Sequence, residues 1–535
     1  MTESATLNRP APCAVSPSVS AIAFDPEVIQ SRIQMIRTTL YVVVDATGRI
    51  GVALDGEAAG DVIGMLPPLF PEWLGDRAFT EAHNVRFPYV AGEMANGISS
   101  RALVIAMGRA QMLGFLGSAG LTPPVIEENV LAIKAALDPL GASWGANLIH
   151  LPGQPATEHA NVDVFLRHGV DRVSASAFMS LTPAVVQYSA TGLTRRADGQ
   201  IIRRNHLFAK LSRSEVAAVF MSPPPLEVLR GLVSAGRITA AEADLAAGLP
   251  VAADITVEAD SGGHTDNRPL VSQFPTILAL KRELETRFDY KQPLRVGAAG
   301  GLATPASVAA AFALGAAYVV TGSVNQCSTD AALSPAAKAL LAGAGFADMA
   351  MAPSADMFEL GAKVQVLKRG TMFAARATRL YELYRNYPDL ESLPRSEREV
   401  LEKTYFRRPI EEVWQDTQRF FAARAPEQLD LAARDPKHRM ALVFRWYLGR
   451  SSRWAIDGVA DRVMDYQIWC GPAMGAFNAW ARGSFLEPLA NRDVVQIALN
   501  LLEGAAVLSR AQQLRALGVQ LPVAAFDFRP RPLQA

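Results

Sequence analysis

The spacing of apolar residues divides the chain into three stretches. From Thr38 the sequence TTLYVVVDATGRIGVALD alternates around a polar turn at 45–48, the period-two pattern of a β-hairpin. From Phe87 the pattern changes to short apolar runs, each followed by an alanine-rich segment with helical spacing. The runs cover 89–91, 112–116, 145–149, 172–177, 207–211, 255–258, 294–298 and 318–321, and helical spacing fills connections such as 99–109, 124–137, 156–167 and 271–287. Eight strands alternating with helices predict an α/β fold, a parallel sheet closed into a (β/α)₈ barrel. After about Met351 the amphipathic spacing is helical, as in 411–424 and 437–448, and no strand pattern stands out. The resulting division is a lead-in with a small β element over 1–86, a barrel over 87–350 and a helical region over 351–535.

Within the barrel one stretch is unusual. In LRVGAAGGLATPASVAAAFALGAAYVVTGSVNQ, residues 294–326, two strands each end in a glycine-containing turn, at Gly300-Gly301 and Gly322-Ser323, with one short helix between them. Thr304 is placed to cap that helix, Pro305 suits its first position and Gly315 ends it. Tandem turns of this kind set free backbone N–H groups side by side, which makes an anion site, and barrels use the loops after their last two strands to hold phosphate. The plain alternative is a βαβ unit with tight turns. Two connections exceed what a barrel needs: 189–205, with a hairpin-like centre, and 221–250, with a helical pattern. Insertions of this sort form lids or are decoration.

Composition narrows the partners. The 535 residues carry 52 basic and 52 acidic side chains with a pI near 7.1, so nothing general favours nucleic acid or an anionic membrane. Three separated cysteines, Cys13, Cys327 and Cys470, indicate neither a disulfide framework nor a zinc site and suit a reducing cytoplasm. The first residues lack the basic start and apolar core of a secretory signal. No pair of histidines has metal-ligand spacing, and no GxGxxG follows a strand. The run Arg434, Lys437, Arg439, Arg445, Arg450 and Arg453 reads either as a solvated helix face or as a dock for an acidic partner.

Four places can carry chemistry. His264 in VEADSGGHTDNRP follows the sixth strand, and Gly262-Gly263 lets the backbone fold over a flat ligand beside it; an imidazole there suits acid-base work, the alternative being a packed loop histidine. Asn147 is a polar amide inside the third strand and needs partners. Lys210 is a charge in the fifth strand and needs either a bound anion or a carboxylate. Ala91, Gly92 and Met94, at the end of the first strand, can offer backbone groups to a planar ring.

With these residues in view the chain resembles the FMN-dependent barrel group of nitronate monooxygenases and flavin-type enoyl reductases. The general likeness rests on GGxxTP at 300–305, ALGAAYVVTGS, GANL and SGGH. A narrower one, to PfaD-type trans-acting enoyl reductases of polyunsaturated fatty acid and polyketide synthases, rests on DSGGHTDNRP, TGSVNQ, FAKLSR and CGPAMGAFN. The resemblance implies FMN across the barrel mouth, its phosphate on Gly300, Gly301, Gly322 and Ser323 and its ring near Ala91, Gly92, Asn147 and Lys210. It also implies NADPH as reductant, a 2-enoyl thioester on an acyl carrier protein as substrate, and His264 as proton donor. A homodimer is compatible with it. A nitronate monooxygenase and a non-catalytic synthase subunit are the alternatives; Thr265-Asp266-Asn267-Arg268, where monooxygenases have small residues, and the long helical appendix weigh against the oxygenase.

Overall fold

The computed structural model describes residues 22–54, 60–151 and 154–534. It forms two compact units: Met1–Pro71 with Glu503–Phe528, and Glu72–Leu502 with Arg529–Ala535.

In the first unit the expected hairpin is present, with Val44 opposite Ile50 and Leu40 opposite Leu54. Its turn is tied by Asp45, whose Oδ1 accepts from the backbone N–H of Thr47 and Arg49 at 2.8 and 2.9 Å. A third strand, Asp61–Leu66, pairs on the other side of Leu40–Val44. It shows no alternation because Val62, Ile63 and Met65 are all exposed.

In the second unit eight parallel strands close into a barrel: Tyr89–Ala91, Leu113–Leu116, Gly145–Ile149, Arg172–Ser176, His206–Leu211, Asp254–Glu258, Arg295–Ala299 and Val319–Thr321. They are the eight expected, and the last pairs with the first. Aromatic side chains fill the interior: Phe79 stacks on Tyr318 with ring centres 4.3 Å apart, and Phe208 meets Tyr318 edge-on. The apolar run around 308–320 is the helix Pro305–Ala313 followed by the last strand. Thr304 caps that helix in a reciprocal box with Ser307, and Gly315 takes φ +96° just beyond it.

At the N-terminal end of the barrel Arg295 makes two bonds to Asp254, at 2.6 and 2.7 Å, and His83 Nε2 lies 3.2 Å from the same carboxylate. His83, His206 and Asp254 bring ligand-type atoms within 4.8 Å of one another. The guanidinium, however, already occupies both carboxylate oxygens, so Asp254 and Arg295 tie strands six and seven together as a buried ion pair, and burial of the neighbouring His83 ring disfavours its charged form.

The region after Met351 is not wholly helical. Met349–Pro353 and Lys363–Leu367 form an antiparallel pair, and Gly263–His264 adds to it as a third strand. The apolar residues of these strands are too few, and too close to the helical segments that follow, for a period-two signal to stand out. Helices including Phe373–Asn386, Ile410–Arg424 and Pro436–Asp457 then pack a separate core around Phe358, Phe373, Phe406, Phe444 and Tyr447. The helix Val494–Ala516 is long and apolar enough to cross a bilayer, but 83% of its apolar window is buried inside the protein.

Candidate active site at the barrel mouth

The strand ends place the candidate residues around one rim. Lys210, on the fifth strand, lies 3.1 Å from Glu93 and 3.2 Å from Glu258, which follow the first strand and end the sixth. Burial disfavours its charge, but Glu258 and then Glu93 outweigh this and raise its pKa. The lysine therefore has protein carboxylates as its counter-charges. Glu93 also accepts from Ser174 Oγ at 3.0 Å. The Asn147 amide donates to Ser174 O and Ser176 Oγ, both at 2.9 Å, and its backbone carbonyl accepts from Ser118 Oγ, which knits strands two, three and four.

Gly92 donates its N–H to Thr321 O at 2.9 Å, part of barrel closure, and its carbonyl accepts from Ser99 Oγ at 2.9 Å, so both its backbone groups are engaged. A side chain there would meet Val320 Cγ1 at 2.8 Å. Ala91 and Met94 beside it are buried, and the Met94 carbonyl accepts from Ser99 N–H.

The glycine turns after strands seven and eight differ in what surrounds them. Gly300 is forced: at φ +86° a Cβ would stand 2.7 Å from the Ala259 backbone. Gly301 and Gly322 face open space, with no atom within 4 Å of where a Cβ would be. Among the described residues, the N–H groups of Gly301, Gly322 and Ser323 have no protein acceptor. Such a cluster of free donors on a barrel rim can take an anion.

His264 lies on the SGGH loop after the sixth strand, a loop that reaches the cradle's surroundings through Gly262 against Cys470 and Gly471 on Ser323. Its pairing with Val364 fixes the backbone, and its Nε2 lies 3.2 Å from Asp356 Oδ1. Burial opposes the charged imidazole, but the bond and charge of Asp356, with Glu258 behind it, raise its pKa overall. Gly262 is required by packing, since a Cβ would come within 2.9 Å of the Cys470 backbone. Gly263 is at φ +82° beside open space.

The quoted motifs meet here. Asp266 of DSGGHTDNRP accepts from Ser212 Oγ at 2.6 Å and from two Arg213 nitrogens at 3.0 Å, which clasps FAKLSR. Gly471 of CGPAMGAFN donates to Ser323 Oγ at 3.2 Å, the Cys470 N–H donates to Gln365 O, and Gln326 donates to Trp469 O. Asp260 Oδ1 and Gln365 Oε1 are buried beside this junction without partners, and burial raises the Asp260 pKa.

The basic run is largely engaged within its own region. Lys437 donates to the carbonyls of Tyr384 and Tyr387, Arg439 pairs with Glu391, Arg445 with Glu359 and Arg453 with Asp457. Sequence reasoning did not single out Glu93, Glu258 or Asp356. Glu93 and Glu258 adjoin quoted motifs, so a search for charges matching Lys210 would have reached them. Asp356 is 92 positions from His264, and nothing local marks it.

The nitronate monooxygenase family model matches residues 76–369, and that of the inserted helical domain of [acyl-carrier-protein] S-malonyltransferase matches 387–466. The chain is 48% identical over 467 residues to a polyunsaturated fatty acid synthase subunit of Thraustochytrium sp., a match that covers 85% of this chain and 31% of that protein. It is 44% identical over 437 residues to the polyketide biosynthesis protein PksE of Bacillus subtilis, covering 82% of this chain and 56% of the relative. The chain thus spans about a third and about half of these two relatives. Among solved structures, the enoyl reductase domain of MlnA from the macrolactin cluster of Bacillus amyloliquefaciens superposes with a TM-score of 0.79 at 36% identity, over 83% of this chain and 99% of that domain. The chain belongs to the nitronate monooxygenase family, among its PfaD-type enoyl reductases.

Proposed function

We propose that the protein is an FMN- and NADPH-dependent enoyl reductase that saturates the α,β double bond of a 2-enoyl thioester carried by an acyl carrier protein, in polyketide or polyunsaturated fatty acid synthesis. The observation that carries this reading is the open cradle of Gly301, Gly322 and Ser323, in a chain that matches an enoyl reductase domain over nearly that domain's whole length. The cradle fits a flavin phosphate: its donors are free and the space a side chain would take is empty. Bound FMN would supply hydride transfer from NADPH to the β-carbon of the acyl group.

The chain's own groups would do the rest. Gly301, Gly322 and Ser323 hold the phosphate by backbone donors. Asn147 and Lys210, locked by their partners, line the mouth where the ring would lie, with Glu93 and Glu258 neutralising the lysine. His264 holds the proton required at the α-carbon, and its raised pKa keeps it charged to higher pH than an ordinary histidine. The match of 387–466 to a helical domain of a carrier-protein transferase supports placing carrier recognition in that region.

An anaerobic titration tests the proposal. The purified protein should show a flavin spectrum that bleaches with NADPH and recovers on adding a 2-enoyl pantetheine thioester, and His264→Ala should slow the second step more than the first. A flavin reduced by a nitronate but not by NADPH would identify a monooxygenase instead, and a colourless protein that binds no FMN would leave a scaffold subunit.

A further inference from the structure

We infer that Asp356 is the positioning residue for His264, so that the region beyond the barrel completes the active site. The inference rests on the donor role proposed above for His264. Asp356 lies on the turn between the strands Met349–Pro353 and Lys363–Leu367, and the second of these pairs directly with Gly263–His264. The turn is held at its base by the Ser354 N–H bond to Ala362 O at 2.9 Å. Two residues past Asp356, Phe358 is fully buried against Tyr381, Tyr384 and Phe444 of the helical core. One small sheet thus carries both the imidazole and, on an anchored turn, the carboxylate that meets it at 3.2 Å.

The chemistry follows from which nitrogen is engaged. A carboxylate accepts a hydrogen bond from Nε2–H, so it selects the tautomer and ring orientation in which Nδ1 is the nitrogen that gains and gives the proton. It also favours the imidazolium. The charged groups acting on His264 are Asp356 and Glu258, which favour its protonation, and Lys210, which opposes it. Asp356 is 56% exposed and His264 36%, so the pair serves orientation more than stability.

The test uses Asp356→Asn and Asp356→Glu in the full protein. The His264 ring is followed by NMR with ¹³C-labelled histidine, its signal being the one lost in His264→Gln. In Asp356→Asn the ring should titrate about one pH unit lower, the scale for losing one opposite charge at this distance. Asp356→Glu should restore most of the shift. In stopped flow, the alkaline fall of acyl reduction should move to lower pH by the same amount in Asp356→Asn, while flavin reduction by NADPH keeps its profile. An imidazole that titrates identically in wild type and Asp356→Asn would overturn the inference. So would an unmoved pH profile with a shifted ring. If His264→Ala leaves acyl reduction intact although Asp356→Asn still shifts the ring, the donor reading fails instead, and the positioning role falls with it.

Discussion

Replacing Lys210 by methionine asks whether the barrel mouth is held by charge. The side chain is of similar length, so packing changes little, but Glu93 and Glu258 lose the cation between them. Both carboxylates lie within 3.2 Å of one nitrogen, so they stand at most about 6 Å apart. At an effective dielectric of 20 the repulsion of two such charges is about 3 kcal/mol. Screening does not remove it, since Glu93 is 6% exposed, Glu258 21% and Lys210 18%. Urea unfolding followed by near-ultraviolet circular dichroism should show Lys210→Met less stable by about 3 kcal/mol at pH 8. Adding Glu93→Gln, which keeps an acceptor for Ser174, should recover at least about 1 kcal/mol at pH 8. A deficit below about 1 kcal/mol at pH 8, or one that the second substitution does not relieve, would refute the view that these charges hold the mouth together.

Two further outcomes are expected. Gly322 has open space where a side chain would stand, so Gly322→Ala, which fills part of the cradle, should weaken FMN binding at least about tenfold, as read by flavin fluorescence. At the other end of the barrel, burial and then the neighbouring His83 push the His206 pKa down to about 3. A depressed histidine takes up protons in the unfolded chain before it does in the folded one. Its contribution is therefore intact above about pH 6.5 and is lost as the pH falls towards 3. The urea midpoint should drop between pH 7 and pH 4.5, and His206→Gln should flatten that slope.

The periodicity of short apolar runs determined the barrel. Strands buried on both faces read as continuous apolar segments and their helices as alanine-rich repeats, so each of the eight was visible locally. The cradle was legible for the same reason, because a glycine pair, a second glycine turn, a capping threonine and a proline lie within 33 consecutive positions. The identity of the motifs at 260–269 and 470–478 was readable too, but not that they touch. Only the tertiary structure brought Cys470 against Gly262, Gly471 to Ser323 and Asp356 to His264, because these contacts depend on how a distant sheet and helical core dock on the barrel rim. The strands Met349–Pro353 and Lys363–Leu367 were missed because each is only five residues long and lies close to the helical segments that follow, so no period-two signal stands out. Lys210 shows the same division. The sequence marked a buried charge that needed a partner, and only the closing of the barrel, which brings the ends of strands one and six to the fifth, decided that two glutamates would provide it.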